Sequence, residues 1–490
     1  MDDAPALALD PEAFRALGYQ AVDLAAAHLA GMRDAPVFRP MSPAARQTLL
    51  EQPLPEAGVA PEEILARFAA DVLPYPMGNG HPRFFGWVNS PPAPMGILAE
   101  LLAAAMGPSC AGGDHAASYL ERAATRWLME LVGFPVAGSV GLLVSGGSMA
   151  SLTGLAAARQ RAAREDGWDV RERGLDDWGQ RLTLYLSSEA HTTLRKAAEL
   201  LGLGAESVRT VPVRADFRLD MAALREAIAA DRSAGLRPFC VVGSAGTVST
   251  GAIDPLTEIA DLCAAEGLWF HVDGAYGAAG VLDPLVAPAY AGMERADSLA
   301  LDPHKWFSVP VECGCALVRD GALLRDAFSM VPPYLRTEEG KGFGGLPWFA
   351  EYGFQQTRGF RALKLWMTLL HAGRAGLTDM ISRQNALARS LAELVDAAPD
   401  LELLSEVTLS ICCFRFVPPG RALDDAALDA LNKQLMEEVQ AGGAAFLTQA
   451  MIHGRFALRA NVLHYATTAE DIRALVEVVR ETGAALSPGT

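Results

Sequence analysis

The chain has 490 residues, of which 51% are hydrophobic and 20% are charged, a composition that indicates a folded protein and excludes a mainly disordered one. A chain of this length is expected to form one large domain with one or two smaller ones. The formal net charge of −17 excludes nucleic acid and an anionic membrane as expected partners, because most of the surface would repel them.

The sequence predicts a cytoplasmic protein without a metal site. Its first ten residues, MDDAPALALD, are acidic where a signal peptide would be basic. The most apolar stretch, residues 94–107, is too short to span a membrane and predicts a buried helix. Seven cysteines occur without a C-x-x-C pair or a Cys/His cluster, a pattern that favours reduced thiols over disulfides or bound metal.

Residues 1–79 are predicted to form an N-terminal helical segment. Asp10 and Pro11 make a good helix start, and apolar residues then recur at helical spacing. A second helix is predicted over residues 61–73, after a proline-rich connector. Because two amphipathic helices cannot enclose a core, they are expected to dock on the large domain or on a partner chain.

Residues 80–374 are predicted to form a large α/β domain, because short apolar runs alternate with helical ones. Strands are predicted at residues 140–144, 182–186, 208–213, 239–242, 268–272, 298–301 and 315–318. Helices are predicted between them at residues 149–163, 192–201, 221–230 and 255–265. This alternation predicts a mostly parallel sheet covered on both faces. Residues 375–490 are predicted to form a smaller C-terminal α+β domain, with strands at 411–416 and 456–463.

A glycine-rich turn, SGGSM at residues 145–149, links a predicted buried strand to a helix. Glycines allow a sharp turn and a close approach to a ligand, and the free amides and dipole at a helix start favour an anion. Gly147 and Ser148 are therefore candidates for binding a phosphate. Taken alone, the segment is equally compatible with an ordinary strand–helix turn. It matches neither the nucleotide-binding glycine motifs nor the G-x-S-x-G motif of serine hydrolases.

Three side chains of chemical interest follow other predicted strands. Asp273 ends one apolar strand, and Lys305 follows another, between His304 and Trp306. His191 stands where a third strand gives way to a helix. Ligands bind at the carboxyl ends of strands in open α/β sheets, and a partly desolvated lysine is a usable nucleophile toward a carbonyl. Each residue alone is compatible with a common structural role, as a cap or a solvated side chain.

Together these features occur in the order that a pyridoxal-phosphate site needs. Such a site requires a cradle for the phosphate, a group stacked on the ring, a carboxylate for the pyridine nitrogen and an amine for the aldehyde. The most specific segments are HPRFFGW at 81–87, SSEAHTT at 187–193, GTVSTGAID at 246–254, HVDGAY at 271–276 and DPHKW at 302–306. On these segments the chain resembles the group II pyridoxal-phosphate-dependent amino-acid decarboxylases, which include the aromatic-L-amino-acid, histidine, glutamate and tyrosine decarboxylases.

The resemblance implies a fold, a cofactor and a set of cofactor-binding residues. The implied fold is the aspartate-aminotransferase-like fold, an α/β fold with a mixed, mostly parallel sheet. The implied cofactor is pyridoxal 5'-phosphate, bonded to Lys305, with Asp273 paired to its ring nitrogen and His191 stacked on its ring. The further cofactor-binding residues implied by the resemblance are Gly147, Ser148, Thr247 and His304.

The resemblance also implies a substrate pocket and a homodimer. Residues 80–90 are similar to the family's pocket wall, with Phe85, Trp87 and Ser90 at the pocket positions. Family members are homodimers whose sites lie at the subunit interface and whose N-terminal helices lie across the partner. The implied partners are therefore a second copy of this chain and a small amino-acid substrate.

Three positions depart from the family pattern. Val248 stands where many relatives have a second threonine. Asp302 occupies a place that is asparagine in animal aromatic decarboxylases, a change that could alter the phosphate contacts. In an ungapped count, the position of the family's catalytic loop tyrosine falls on or near Phe349, with Tyr352 and Tyr334 close by but out of register.

The implied reaction is the loss of CO2 from an L-amino acid to give an amine. Phe84, Phe85 and Trp87 favour an aromatic substrate. Two alternatives remain open. Without a loop tyrosine to protonate the substrate carbon, reaction with oxygen would give an aldehyde, ammonia and peroxide. A non-catalytic dimer that keeps the fold and binds partners is the second alternative.

Overall fold

The computed structural model describes residues 7–331 and 340–487. Its helices are α1 (Pro11–Gly31), α2 (Pro43–Leu50), α3 (Pro61–Arg67), α4 (Pro94–Met106), α5 (Ala116–Val132), α6 (Gly147–Glu165), α7 (Val170–Arg173), α8 (Thr193–Leu200), α9 (Met221–Ser233), α10 (Leu256–Glu266), α11 (Gly321–Phe328), α12 (Arg361–Ala397), α13 (Asp425–Gly442) and α14 (Ala469–Leu486). Its strands are β1 (Val140–Val144), β2 (Leu182–Ser187), β3 (Val208–Val211), β4 (Arg237–Ser244), β5 (Trp269–Asp273), β6 (Ser298–Leu301), β7 (Gly314–Val318), β8 (Leu401–Leu403), β9 (Ile411–Phe416), β10 (Thr448–Ile452) and β11 (Arg455–Asn461).

The first seven strands form one sheet in the order β1-β7-β6-β5-β4-β2-β3. Neighbouring strands are parallel from β3 to β6, whereas β7 is antiparallel to both of its neighbours. All seven predicted strands are present, and the predicted α/β architecture with a mixed, mostly parallel sheet is confirmed. The strands are rich in apolar residues because helices bury both faces of the sheet.

The direction of the strands fixes where the loops lie. Because β7 is antiparallel to β1 and to β6, β1 runs in the same direction as the five parallel strands. The turns that follow β1, β2, β4, β5 and β6 therefore meet at one edge of the sheet, where ligands bind in open α/β folds.

A second, antiparallel sheet lies in the C-terminal part of the chain, in the order β10-β11-β9-β8. It packs with α13 and α14 around a core of its own, as the C-terminal α+β prediction requires. The short strands β8 and β10 were not predicted. One segment of the predicted large domain also joins this sheet, because Phe85 donates its amide to the Phe446 carbonyl (2.8 Å) and accepts from the Asn461 amide (2.9 Å).

Helix α12 connects the two sheets. It packs against α4 and α5 on the side of the large sheet and against β8 and β9 on the other. The helix bends at Gly373, whose φ of 63° and ψ of 169° are not helical. A positive φ is readily adopted by glycine and by few other residues. The predicted division between residues 374 and 375 lies next to this bend.

Several apolar helix faces are not covered by the described part of the chain. Helices α1, α2 and α3 contain no buried residue. The prediction of a buried helix at residues 94–107 is wrong for the single chain. One side of α4 packs on α12, but Leu98, Leu101, Leu102 and Met106 on another side are 44–60% exposed. None of the described helices has the combination of length and hydrophobicity needed to cross a membrane.

A buried ion pair joins α5 to the segment that precedes α12. The guanidinium of Arg358 contacts both carboxylate oxygens of Glu121, and both side chains are almost fully buried. Arg358 also donates to the carbonyls of Cys110 (2.8 Å) and Leu143 (2.6 Å), while Glu121 accepts from the Leu143 amide (3.0 Å). The pair thereby holds the end of β1, where the glycine-rich turn begins.

Replacing Arg358 with methionine is expected to lower the free energy of unfolding by about 3–5 kcal/mol, because Glu121 is left as an uncompensated buried charge. The matched control is Arg126→Met, since Arg126 pairs with Glu130 on the exposed side of α5, at 3.6 Å. An exposed pair of this kind contributes less than about 1 kcal/mol. Urea unfolding followed by circular dichroism measures both changes, and equal losses would contradict a role for burial.

Candidate active site

A cavity of about 570 Å³ opens where the strand-end turns meet. Its walls come from both sheets, since β10 and β11 contribute residues as well as the large sheet. All seven residues predicted to bind the cofactor line it together with Trp87; the seven are Gly147, Ser148, His191, Thr247, Asp273, His304 and Lys305. The fold therefore brings together side chains from five separate turns.

The glycine-rich turn forms the start of α6. No side chain caps this helix, and its first intrahelical bond runs from the Ala150 amide to the Gly146 carbonyl, at 2.9 Å. The amides of Gly147 and Ser148 precede that bond and are free to bind an anion. Gly147 has no room for a side chain, because a Cβ there would lie 2.8 Å from the Ala275 Cβ and 2.9 Å from an oxygen of Asp302.

Asp273 ends β5 in the middle of the sheet. Its register partners are Ser244 on β4 and Ala300 on β6. Its backbone carbonyl accepts from the Ala245 amide at 2.9 Å, and its carboxylate accepts from the Ala275 amide at 3.2 Å. These bonds fix the carboxylate at the floor of the cavity, where it is half-buried.

Lys305 lies in the turn that follows β6. Its ammonium nitrogen is 3.0 Å from a carboxylate oxygen of Asp302, and its side chain is 24% exposed, on the cavity side. Two backbone contacts hold the turn, since the Lys305 amide donates to the Asp302 carbonyl (2.9 Å) and the Ser90 hydroxyl donates to the Lys305 carbonyl. The lysine is thus partly desolvated and accessible, as its sequence position predicts.

Two histidines border the same cavity. The Nδ1 of His191 accepts from the Thr193 amide at 3.2 Å, and the Nδ1 of His304 lies 3.1 Å from the amide nitrogen of Cys313. Loss of hydration lowers the pKa of His191, which Asp273 partly opposes. Burial likewise lowers the pKa of His304. Both rings are therefore neutral at pH 7.

The predicted substrate residues do not share one location. Trp87 lines the cavity, is 48% exposed and has a strained φ of +45°. Phe85 does not line it; this side chain is 1% exposed in the core of the C-terminal sheet. The pocket role of Phe85 is therefore wrong in this chain, because its strand-like pairing turns it inward. Ser90 is also outside this cavity, beneath Lys305, and lines a neighbouring groove.

The sequence reasoning missed Arg459. This residue lies on β11 and lines the cavity, although it is only 3% exposed. It donates to the carbonyls of Val248 (2.9 Å) and Trp87 (3.1 Å), and its Nη2 is buried without a hydrogen-bond partner in the described structure. An arginine inside a mainly apolar predicted strand is a signal that could have identified it, because buried charges need a partner or a function.

The three candidates for the loop tyrosine position are not equivalent. Phe349 is 1% exposed and packs between the guanidinium groups of Arg122 and Arg358, away from the cavity. Tyr352 is 7% exposed in the same core. Both residues are buried and neither lines the cavity, which contradicts a proton donor at the position of Phe349. Tyr334 lies outside the described residues.

Comparison with known proteins identifies the family. The family described as "Pyridoxal-dependent decarboxylase conserved domain" matches residues 43–417. The chain is 33% identical over 482 residues to the aromatic-L-amino-acid decarboxylase of Bacillus atrophaeus, covering 96% of this chain and 97% of that protein. It is 28% identical over 482 residues to the phenylacetaldehyde synthase of Arabidopsis thaliana, covering 96% of each.

Solved structures of similar proteins share this fold. The crystal structure of Oryza sativa TDC with PLP and tryptamine superposes with a TM-score of 0.91 at 28% identity, covering 98% of this chain and 100% of that one. The crystal structure of mouse CSAD superposes with a TM-score of 0.89, also at 28% identity, covering 97% of this chain and 99% of that one. These matches confirm the aspartate-aminotransferase-like fold. The chain therefore belongs to the pyridoxal-dependent decarboxylases, enzymes that remove CO2 from amino acids with pyridoxal phosphate as their cofactor.

Proposed function

We propose that this decarboxylase converts an aromatic L-amino acid to the amine and CO2 in the cavity at the strand ends. The observation that carries the proposal is the convergence of Gly147, Asp273 and Lys305 on one cavity from three separate turns. The relatives support the substrate class, since they include proteins named as aromatic-L-amino-acid, tryptophan and tyrosine decarboxylases.

The residues present fit pyridoxal phosphate. The free amides of Gly147 and Ser148 would hold its phosphate, and glycine is needed at position 147 because a side chain there would collide with its neighbours. Asp273 would pair with the ring nitrogen, and Lys305 would bond to the aldehyde. His191 would stack on the ring, with Thr247 and His304 completing the contacts. When bound, the cofactor supplies a conjugated ring that accepts the electrons left as CO2 departs.

Each of these residues has a defined task. The carboxylate of Asp273 keeps a proton on the ring nitrogen, so that positive charge faces the electrons released by the substrate. His191 is neutral, so it would hold the plane of the cofactor ring without adding charge. Arg459 places a buried cation beside Trp87, where it attracts the carboxylate of an incoming amino acid. Lys305 presents an amine on the cavity side, where it would bond to the cofactor aldehyde.

A substrate panel tests this function. We expect release of CO2 and an equal amount of amine from tryptophan, tyrosine, phenylalanine or dopa, and little from glutamate or lysine. Lys305→Ala should abolish turnover and the visible absorbance of the holoenzyme, whereas Lys433→Ala, on the exposed face of α13, should retain both. Turnover in the Lys305 variant, or CO2 release from glutamate alone, would contradict the proposal.

Oxidative production of an aldehyde is the alternative with some support, since relatives include proteins named phenylacetaldehyde synthase and 4-hydroxyphenylacetaldehyde synthase. The sequence-based argument for that route depends on a phenylalanine, Phe349, at the proton-donor position. The burial of Phe349 and Tyr352 removes this argument. We infer that Tyr334, the remaining candidate, supplies the proton that the substrate carbon needs after CO2 has left.

The product distribution tests the role of Tyr334. A phenol delivers a proton to the carbanion, whereas a phenyl ring leaves it exposed to oxygen. Tyr334→Phe is therefore expected to consume oxygen and to shift the product from amine toward aldehyde. Tyr352→Phe is the matched control and should leave the ratio unchanged, because Tyr352 lies in the core. Aldehyde from the wild-type enzyme, or amine alone from Tyr334→Phe, would overturn the assignment.

We also propose that the active form is a homodimer in the cytoplasm. The apolar face of α4, formed by Leu98, Leu101, Leu102 and Met106, is exposed in the single chain. The N-terminal helices have no core of their own and gain stability only by docking. A second copy of the chain would cover both surfaces. All seven cysteines are buried and unpaired, which supports a reducing compartment.

Disrupting the apolar face of α4 tests the dimer. Leu101→Glu should yield a monomer in analytical ultracentrifugation, because a charge cannot be buried in an apolar interface without a partner. Leu200→Glu on α8 is the control, since Leu200 is more exposed than Leu101 and lies on another part of the surface. A Leu101→Glu protein that sediments as the wild-type dimer would place the interface elsewhere.

A further inference from the structure

The side chain of Asp302 lies between the phosphate turn and Lys305. It follows β6 and is only 3% exposed. One carboxylate oxygen contacts the Lys305 ammonium at 3.0 Å. The other, Oδ1, is buried and has no hydrogen-bond partner in the described structure. A buried carboxylate oxygen that lacks a partner is costly, so its free position points to a group that binds there.

Both carboxylate oxygens of Asp302 lie near the start of α6. A Cβ built on Gly146 would lie 3.9 Å from Oδ1 of Asp302, and one built on Gly147 would lie 2.9 Å from Oδ2. The carboxylate therefore lies close to the residues whose amides would hold the cofactor phosphate. A phosphate bound at this helix start would have the Asp302 carboxylate as its neighbour.

The charges around Asp302 do not neutralise both anions. Lys305 is the cation in contact with the carboxylate. His304, at 3.8 Å, and His191 have pKa values lowered mainly by loss of hydration and are neutral at pH 7. On the β7 side, burial raises the pKa of Cys313 to about 12 and holds the pKa of Cys315 well above its usual range, so both thiols are uncharged.

Two adjacent anions in a poorly hydrated site share a proton, as paired carboxylates do. We propose that Asp302 holds one proton in common with the cofactor phosphate, so that cofactor binding takes up a proton and weakens as the pH rises. This inference rests on the proposed cofactor site. Asp302 is then a positioning residue that acts through the cofactor phosphate. It makes retention of the cofactor depend on pH, and this effect does not require the bond to Lys305.

The experiment compares cofactor affinity in two full-length variants, Lys305→Ala and Lys305→Ala/Asp302→Asn, by equilibrium dialysis between pH 7.0 and 8.5. The lysine is removed so that neither its charge nor its covalent bond affects the comparison. In both variants the dissociation constant of pyridoxal phosphate is measured as a function of pH. With Asp302 present, it should rise with pH more steeply than with asparagine, by up to a further tenfold per pH unit. A tenfold change per pH unit is the slope expected when binding takes up one proton. At pH 8.5 the asparagine variant should bind at least tenfold more tightly.

Two controls separate the phosphate from other causes. Pyridoxal, which lacks the phosphate, should bind both variants with the same affinity. Asp176→Asn in the Lys305→Ala background removes one negative charge from an exposed loop and should leave the pH slope unchanged. A second comparison, wild type against Asp302→Asn titrated with pyridoxal phosphate, should show the same direction of change.

Each contrary outcome has its own meaning. Equal pH slopes, weaker binding by the asparagine variant, or an equal shift for pyridoxal would overturn the proton-sharing proposal. Failure of the wild-type protein to bind pyridoxal phosphate at all would instead overturn the proposed cofactor site.

Discussion

The common direction of six strands is the constraint on which the site depends. The candidate site residues are spread along the sequence from Ser145 to Lys305, and no local interaction brings them together. They meet because each follows a strand whose carboxyl end lies at the same edge of the sheet. The antiparallel strand β7 preserves this arrangement, since it separates β1 from β6 without reversing either. The buried Glu121–Arg358 pair also holds the end of β1 through hydrogen bonds to the backbone of Leu143.

Much of this architecture could be predicted from sequence, because strands buried on both faces are continuous apolar runs. The bounds of β1 and β6 agree with the prediction at both ends. The candidate site residues could be placed at strand ends for the same reason. Phe85 could not be placed, because an apolar residue looks the same whether it faces a cavity or the core of a second sheet. Strand β8 has three residues, too few for a periodic pattern.

The exposed faces of α1 and α4 show a different limit of sequence reasoning. Periodicity reveals that a helix has an apolar side, but it does not reveal which surface covers that side. The sequence analysis treated residues 94–107 as core on hydrophobicity alone, whereas only Gly96 and Ala99 of α4 are buried within the chain. Apolar exposure of this extent is unusual for a monomer. In the proposed homodimer, a second copy of the chain would cover these exposed faces.

The position of Trp87 has a consequence for how such an enzyme can diversify. Its carbonyl accepts hydrogen bonds from Arg459 (3.1 Å) and Asn461 (3.0 Å), so the C-terminal sheet holds this wall of the cavity. The groups that would anchor the cofactor come from the large sheet instead. Selection can therefore reshape the wall on β10 and β11 for new side chains while the catalytic floor stays intact. Grafting these two strands between relatives is accordingly a rational route to new specificity in protein engineering.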